Sequence, residues 1–130
     1  MKVLSLALSA LFFSGTVLAN DVEIVKVKMN GSASSWRANV TLLHGDTGWD
    51  HYADAWRVVS PDGKVLGTRV LYHPHVNEQP FTRSLGNINI PADMTTVFVE
   101  AHDKVHGWSK QRVKVDLTQS SGDRFEVQRR

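Results

Sequence analysis

Short β-rich runs separated by turn signals dominate the chain beyond residue 20, and they constrain its fold more than any other feature. The clearest run, Trp36 to Leu42, alternates apolar and polar residues, which is the period of a half-buried strand. The segment Ser60-Pro61-Asp62-Gly63 predicts a hairpin turn, because proline presets φ and glycine accepts a positive φ. No segment shows a sustained helical period with caps. The predicted strands lie at 22–28, 36–42, 55–59, 65–72, 81–90, 96–101 and 111–117.

Seven short strands in roughly 100 residues predict an all-β fold. We expect an antiparallel, seven-stranded sandwich of the immunoglobulin or fibronectin type. The chain has no cysteine, so it lacks the disulfide of antibody domains. Trp36 and Trp56 fall on the inner faces of the second and third runs, and large aromatic side chains dominate such cores. We therefore expect both tryptophans to be buried.

The first 19 residues have the pattern of a secretory signal peptide. Lys2 precedes an apolar run at 3–13, and Val17 and Ala19 are small residues before a predicted cleavage site. The run is shorter than the about 20 residues of a membrane helix, so a retained anchor is the less favoured alternative. No cysteine follows it to accept a lipid, and we expect a periplasmic or secreted protein without membrane insertion. The predicted division is a signal peptide at 1–19, a β-sandwich domain at 20–117 and a polar, loose tail at 118–130.

The charge balance argues against nucleic acid as a partner. The chain has 15 Lys and Arg against 13 Asp and Glu, and Lys2 is lost with the signal peptide. A nearly neutral surface offers no electrostatic attraction for nucleic acid or for an anionic membrane. An exported chain without cysteine must be stabilised by packing alone or with the help of a metal.

The histidines fall in three connections, which follow the second, fourth and sixth predicted strands. These connections are His44 to Asp54, Tyr72 to Pro80 and His102 to Trp108. In an antiparallel sandwich, connections after even-numbered strands lie at the same end. We call this end, formed by the three connections, the histidine pole. The sequence predicts that it gathers six imidazoles: His44, His51, His73, His75, His102 and His106.

Two of these histidines can be placed by strand period. His44 continues the inner-face positions of Val40 and Leu42, so we expect it to point into the pole. His102 is out of phase with Val99 and Ala101, so it points away from the core if the strand stays regular.

Carboxylates occur in the same connections and complete a set of metal-binding groups. Imidazole together with carboxylate suits Zn, Cu(II), Ni or non-haem Fe. We predict an exported metal-binding module, for Zn or Cu(II), that serves carriage, buffering or stability. In it, the six histidines are the candidate ligands and the carboxylates orient their rings. An alternative is a hydrogen-bond network that holds long loops. The supporting carboxylates are Asp46, Asp50, Asp54, Glu78 and Asp103.

Aromatic side chains in the same connections raise a second hypothesis, a non-catalytic domain that binds a protein or a glycan. A metalloenzyme with Glu78 or Asp50 as a base is a third. No catalytic motif accompanies these residues, so an enzyme is the less favoured interpretation. The candidate partner contacts are Trp49, Tyr52, Tyr72 and Trp108.

Three segments of the chain resemble a group of small, uncharacterised secreted bacterial proteins with an immunoglobulin-like β-sandwich. The segments are DTGWDHYAD at 46–54, LGTRVL at 66–71 and HPHVNEQPFTR at 73–83. The resemblance extends over most of the chain after the signal peptide. It implies a bacterial origin, and it implies no known activity.

Overall fold

The computed structural model describes residues 21–130, and in that range the chain forms ten β-strands and no helix. The predicted all-β class is confirmed, while the predicted signal peptide lies outside the described residues. No helix within 21–130 is long and apolar enough to cross a membrane. The strands are β1 (Glu23–Ser32), β2 (Ser35–Leu43), β3 (Ala53–Val59), β4 (Val65–Val70), β5 (Phe81–Asn89), β6 (Thr96–Asp103), β7 (Gly107–Trp108), β8 (Val113–Asp116), β9 (Ser121–Gly122) and β10 (Phe125–Arg129).

The strands form two five-stranded sheets. The first sheet has the order β5-β2-β1-β10-β9, and the second has the order β4-β3-β6-β7, with β8 also paired to β6. The prediction of seven antiparallel strands is wrong in two respects. Residues 21–130 contain ten strands, and β1 pairs in parallel with β10.

The C-terminal tail accounts for much of this difference. The sequence predicts a loose tail at 118–130, but these residues include β9 and β10, so the domain extends past residue 117. Phe125 is buried in the core, and the Arg124 side chain donates to the Ile24 carbonyl at 2.7 Å. The polar composition of the tail concealed its two apolar anchors, Phe125 and the partly buried Val127, which pack β10 against the core beside β1.

One hydrophobic core lies between the sheets and receives side chains from both. The predicted burial of Trp36 and Trp56 is confirmed. In β6, every second residue is buried, as expected for a strand with one face on the core. This inner-face row runs Val97, Val99, Ala101 and ends at Asp103.

Candidate metal centre

The three histidine-bearing connections meet at one end of the two sheets, as the topology predicts. The Asp46 carboxylate accepts from the His75 backbone N–H at 2.7 Å, which joins the connections after β2 and β4. The Gln79 side chain strengthens this join, because it accepts from the His44 N–H at 2.9 Å and donates to the His75 carbonyl at 2.8 Å. The Lys104 N–H donates to the Tyr52 carbonyl at 3.1 Å and brings in the connection after β6.

His44, His51 and Asp103 place three potential metal ligands around a common point. His44 Nε2 lies 3.8 Å from Asp103 Oδ2, and His51 Nε2 lies 3.3 Å from Asp103 Oδ1. One ligand atom from each residue lies within 4.8 Å of the other two. Neighbouring donors around a tetrahedral zinc are about 3.3 Å apart, since Zn–N bonds are near 2 Å. Small side-chain adjustments would therefore bring the three groups onto one ion.

The two sheets supply this group from opposite sides of the core. His44 follows Leu42 on the inner face of the first sheet, and Asp103 follows Ala101 on the inner face of the second. His51 comes from the connection between β2 and β3, where it pairs with Gly48 in an isolated bridge. Gly48 has φ +146°, a conformation that glycine adopts readily.

Asp46 fixes the orientation of the His44 ring. Its Oδ1 lies 2.5 Å from His44 Nδ1, and both side chains are fully buried. This contact turns the Nε2 edge of the ring toward Asp103, as in the carboxylate–histidine pairs that support metal ligands. Burial raises the pKa of the Asp46 carboxyl, but the hydrogen bonds from His44, His75 and Ala53 outweigh it and hold that pKa below its usual range.

Asp103 is held by the turn that follows it. Its Oδ1 accepts from the backbone N–H of Val105 at 2.9 Å and of His106 at 2.7 Å. Burial raises the pKa of the Asp103 carboxyl, but these bonds and the His106 ring lower it to a net value below its usual range. The carboxylate is therefore ionised at neutral pH and available to a cation.

Among residues 21–130, the chargeable side chains that contact the two buried carboxylates are imidazoles. No Lys or Arg of residues 21–130 lies within 4.0 Å of Asp46 or Asp103. Burying an anion without a cation is costly. Beyond the hydrogen bonds from backbone N–H groups, positive charge on a protonated imidazole or a bound metal ion would stabilise these two carboxylates further.

The six histidines do not form one cluster. His106 lies next to the group of His44, His51 and Asp103, which we call the central group, and its ring is 5.1 Å from the His51 ring. His75 is buried apart from it, stacked on Phe81, and its Nε2 accepts from the Arg83 guanidinium at 2.9 Å. Burial, then the charge of Arg83, then His73, lower the pKa of His75, so it stays neutral. His73 is exposed on the outer side of His75.

His102 points away from the core, as its strand phase predicts. Its Nδ1 lies 2.5 Å from Asp54 Oδ1, and its ring meets the edge of Trp108 at 4.8 Å. The Arg57 guanidinium lies over the face of the Trp108 ring, 3.6 Å from its centre. These residues belong to the outer surface of the second sheet and bring no donor to the central group.

The remaining predicted residues divide between surface and interior. Asp50 is exposed, and Glu78 bonds to Arg83 at 3.0 Å on the surface. Trp49 and Tyr72 are strongly exposed, at 67% and 73%. Tyr52 is buried, with its ring 5.9 Å from the Trp49 ring.

The sequence predicts a supporting role for Asp103, and in the structure its carboxylate lies beside His44 and His51. The sequence does not single out Gln79, Arg83 or Asp21. The period of β6 contained the signal for Asp103, because Val97, Val99 and Ala101 extend to it at the same two-residue interval. The bonds of Gln79 and Arg83 span loops whose relative position no local pattern determines.

No protein-family model matches the chain, and no solved structure is significantly similar to it. A protein of Halomicrobium mukohataei with the recorded name "Putative lipoprotein" is 42% identical over 106 residues. The match covers 82% of this chain and 50% of that protein. The chain thus spans about half the length of the curated relative it matches.

Proposed function

We propose that the protein is a metal-binding module whose ion is held by His44, His51 and Asp103. Two imidazoles and one carboxylate suit zinc best, with Cu(II) second. The observation that supports this most is the pair of buried carboxylates, Asp46 and Asp103, which have no Lys or Arg partner among residues 21–130. One divalent cation would neutralise both charges. Asp46 would act indirectly, by orienting the His44 ring toward the ion.

The number of ligands favours carriage or buffering over a purely structural role. Structural zinc sites commonly have four protein ligands, whereas three ligands leave a position for water or for an incoming donor. His51 belongs to a connecting loop and its side chain is partly exposed. The proposed ligand atoms are buried, so exchange of the ion with another donor would use the open coordination position together with movement of the His51 loop.

The competing explanation is a histidine–aspartate hydrogen-bond network without metal. In that case, protonated imidazoles would supply the positive charge beside the buried carboxylates. A titration separates the two, because the network has no reason to bind an added ion tightly.

The test is calorimetric titration of the purified, chelator-treated protein, without a histidine tag, with zinc and then with Cu(II). We expect the first ion to bind with a Kd below micromolar. His51→Ala should weaken it at least about 100-fold, since it removes a ligand. His73→Ala is the matched control, an exposed histidine of the same pole, and should change the Kd less than about twofold. Binding no tighter than micromolar, or equal losses in both variants, would refute the proposal.

We also propose that the protein is exported. The pattern of residues 1–19 supports this, and so does the name of its relative, since lipoproteins are envelope proteins. Fractionation of an expressing bacterium, followed by N-terminal sequencing, tests it. We expect a mature chain that begins at Asn20 outside the cytoplasm, and an uncut cytoplasmic chain would contradict export.

A finer description of the fold is also proposed, namely an immunoglobulin-like sandwich. Two sheets that enclose one core, and the pairing of β3 with both β4 and β6, support it. An experimental structure compared with sandwich domains tests this assignment. A connectivity unlike any immunoglobulin-type domain would contradict it.

The exposed aromatic residues of the pole support a second candidate function, the binding of a glycan or protein. Trp49 and Tyr72 present large apolar surfaces to solvent, and planar aromatic rings stack well on sugars. Tryptophan fluorescence during titration with a panel of oligosaccharides tests the glycan form. We expect a saturable change that Trp49→Ala abolishes, and no change with any sugar would count against it.

A further inference from the structure

A second set of donors lies on the outer side of Asp103. Asp21, Asp103 and His106 each offer one atom within 4.8 Å of the other two. His106 Nδ1 lies 3.0 Å from Oδ1 and 3.2 Å from Oδ2 of Asp103. The same nitrogen lies 3.9 Å from Asp21 Oδ1. These distances are comparable to those within the central group of His44, His51 and Asp103.

Asp103 is common to both sets and lies between them. Its Oδ2 lies near His44 Nε2 and His106 Nδ1, while its Oδ1 lies near His51 Nε2 and His106 Nδ1, so rings of both sets contact the one carboxylate. The three rings follow one another, with centres 4.7 Å apart from His44 to His51 and 5.1 Å apart from His51 to His106. A carboxylate with imidazoles on two sides has the arrangement of a bridge between two ions, which in two-metal sites lie about 3.5–4 Å apart.

The outer set adds a second carboxylate to Asp103, and no basic side chain of the described residues competes for it. Asp21 has no Lys or Arg of residues 21–130 within 4.0 Å, and His106 is its one chargeable neighbour at that distance. With Asp46 and Asp103, it makes three carboxylates beside three imidazoles. One divalent ion balances two of these negative charges and leaves the third for another cation.

We propose that Asp103 bridges two divalent cations. The inner ion is the one held by His44 and His51, and the outer ion is held by His106 and Asp21. The inference rests on the proposed function for its inner ion and adds a site to it. The side chain of Asp21 is 72% exposed and that of His106 is 36% exposed, so the outer ion is the weaker and more readily exchanged. The pair would let the module take up or release one ion while it retains the other.

The experiment is native mass spectrometry combined with calorimetric titration, with zinc as the probe and the purified protein without a histidine tag. We expect two ions per chain, the second at least about 10-fold weaker than the first. Asp21→Asn should remove the second step and leave the first within about twofold. Asp50→Asn is the matched control, an exposed aspartate of the same pole, and should keep both steps. Asp103→Asn should weaken both.

Each alternative result has a distinct meaning. One tight ion in the wild type, unchanged by Asp21→Asn, would overturn the bridged pair and leave the proposed function intact. One ion that His106→Ala weakens at least about 10-fold would also overturn the pair, because His106 would then be a fourth ligand of a single site. If no ion binds, the proposed function itself fails. Circular dichroism of each variant verifies that the sheets are retained.

Discussion

Two histidine–aspartate pairs in the molecule have the same geometry in different surroundings. His44 with Asp46 and His102 with Asp54 each join Nδ1 to Oδ1 at 2.5 Å. Both side chains of the first pair are fully buried, whereas those of the second are 27% and 21% exposed. The first pair lies between the sheets, and the second lies on the outer surface of the second sheet.

The difference shows that a histidine–aspartate pair does not by itself make a metal ligand. In the buried pair, the Nε2 side of the His44 ring faces Asp103, and His51 lies close to both of these residues. In the exposed pair, the His102 ring contacts the Trp108 ring, and an indole offers no metal ligand. A candidate site arises where the inner-face rows of the two sheets end opposite each other. The exposed pair is therefore a natural control for the buried one.

The largest difference should appear in stability without metal. Asp46→Ala leaves the His44 ring and two buried N–H groups, of Ala53 and His75, without their acceptor. We expect it to lower the free energy of unfolding by about 3–5 kcal/mol. Asp54→Ala breaks a partly solvated pair and should cost less than about 1 kcal/mol. Urea denaturation with a chelator present measures both, and similar losses would show that burial does not separate the pairs.

The next difference concerns zinc affinity. His44→Ala removes a proposed ligand and should weaken the first zinc ion at least about 100-fold, or about 2.7 kcal/mol. His102→Ala should change its affinity less than about twofold, because His102 belongs to neither group of candidate ligands found among residues 21–130. Competition with a chromogenic chelator measures both. Zinc binding that depends on His102 would place the site on the outer sheet surface instead.

A smaller effect should separate the two aspartates. Asp46→Asn keeps the size of the side chain but removes the charge that supports the His44 ring, and loss of such a partner typically lowers metal affinity about 10–100-fold. Asp54→Asn should leave zinc affinity unchanged. The same competition assay applies, and an Asp46→Asn protein with wild-type affinity would mean that the ring needs no carboxylate to hold its orientation.

Part of this site could be predicted because strand period and topology are local and regular. The placement of the three connections followed from strand order, and the directions of His44 and His102 followed from alternation along β2 and β6. The grouping within the pole was less predictable. His75 is adjacent in sequence to other candidate residues, yet it bonds to Arg83 and stacks on Phe81, contacts that depend on how two loops fold against each other.

The C-terminal strands could not be predicted for a different reason. Residues 118–130 bury little apolar surface of their own, so their pattern is typical of solvent-exposed chain. β10 is ordered by the backbone of β1, to which it pairs from Val27↔Phe125 to Gly31↔Arg129. Because the partner strand is about 100 residues away, no window of sequence contains both halves of the contact.

Because β1 and β10 pair in parallel, both strands start nearer the histidine pole and run toward the opposite end of the sheets. β1 begins at the pole, where Glu23 pairs with Leu43 and Asp21 lies beside His106. β10 runs the same way as β1, and the Arg130 N–H donates to the Gly31 carbonyl near the opposite end. A segment joined before Asp21 is therefore attached beside the candidate metal centre, while one joined after Arg130 leaves from the far end. Purification handles and fluorescent fusions for the binding experiments belong at the C-terminus, away from the candidate metal centre.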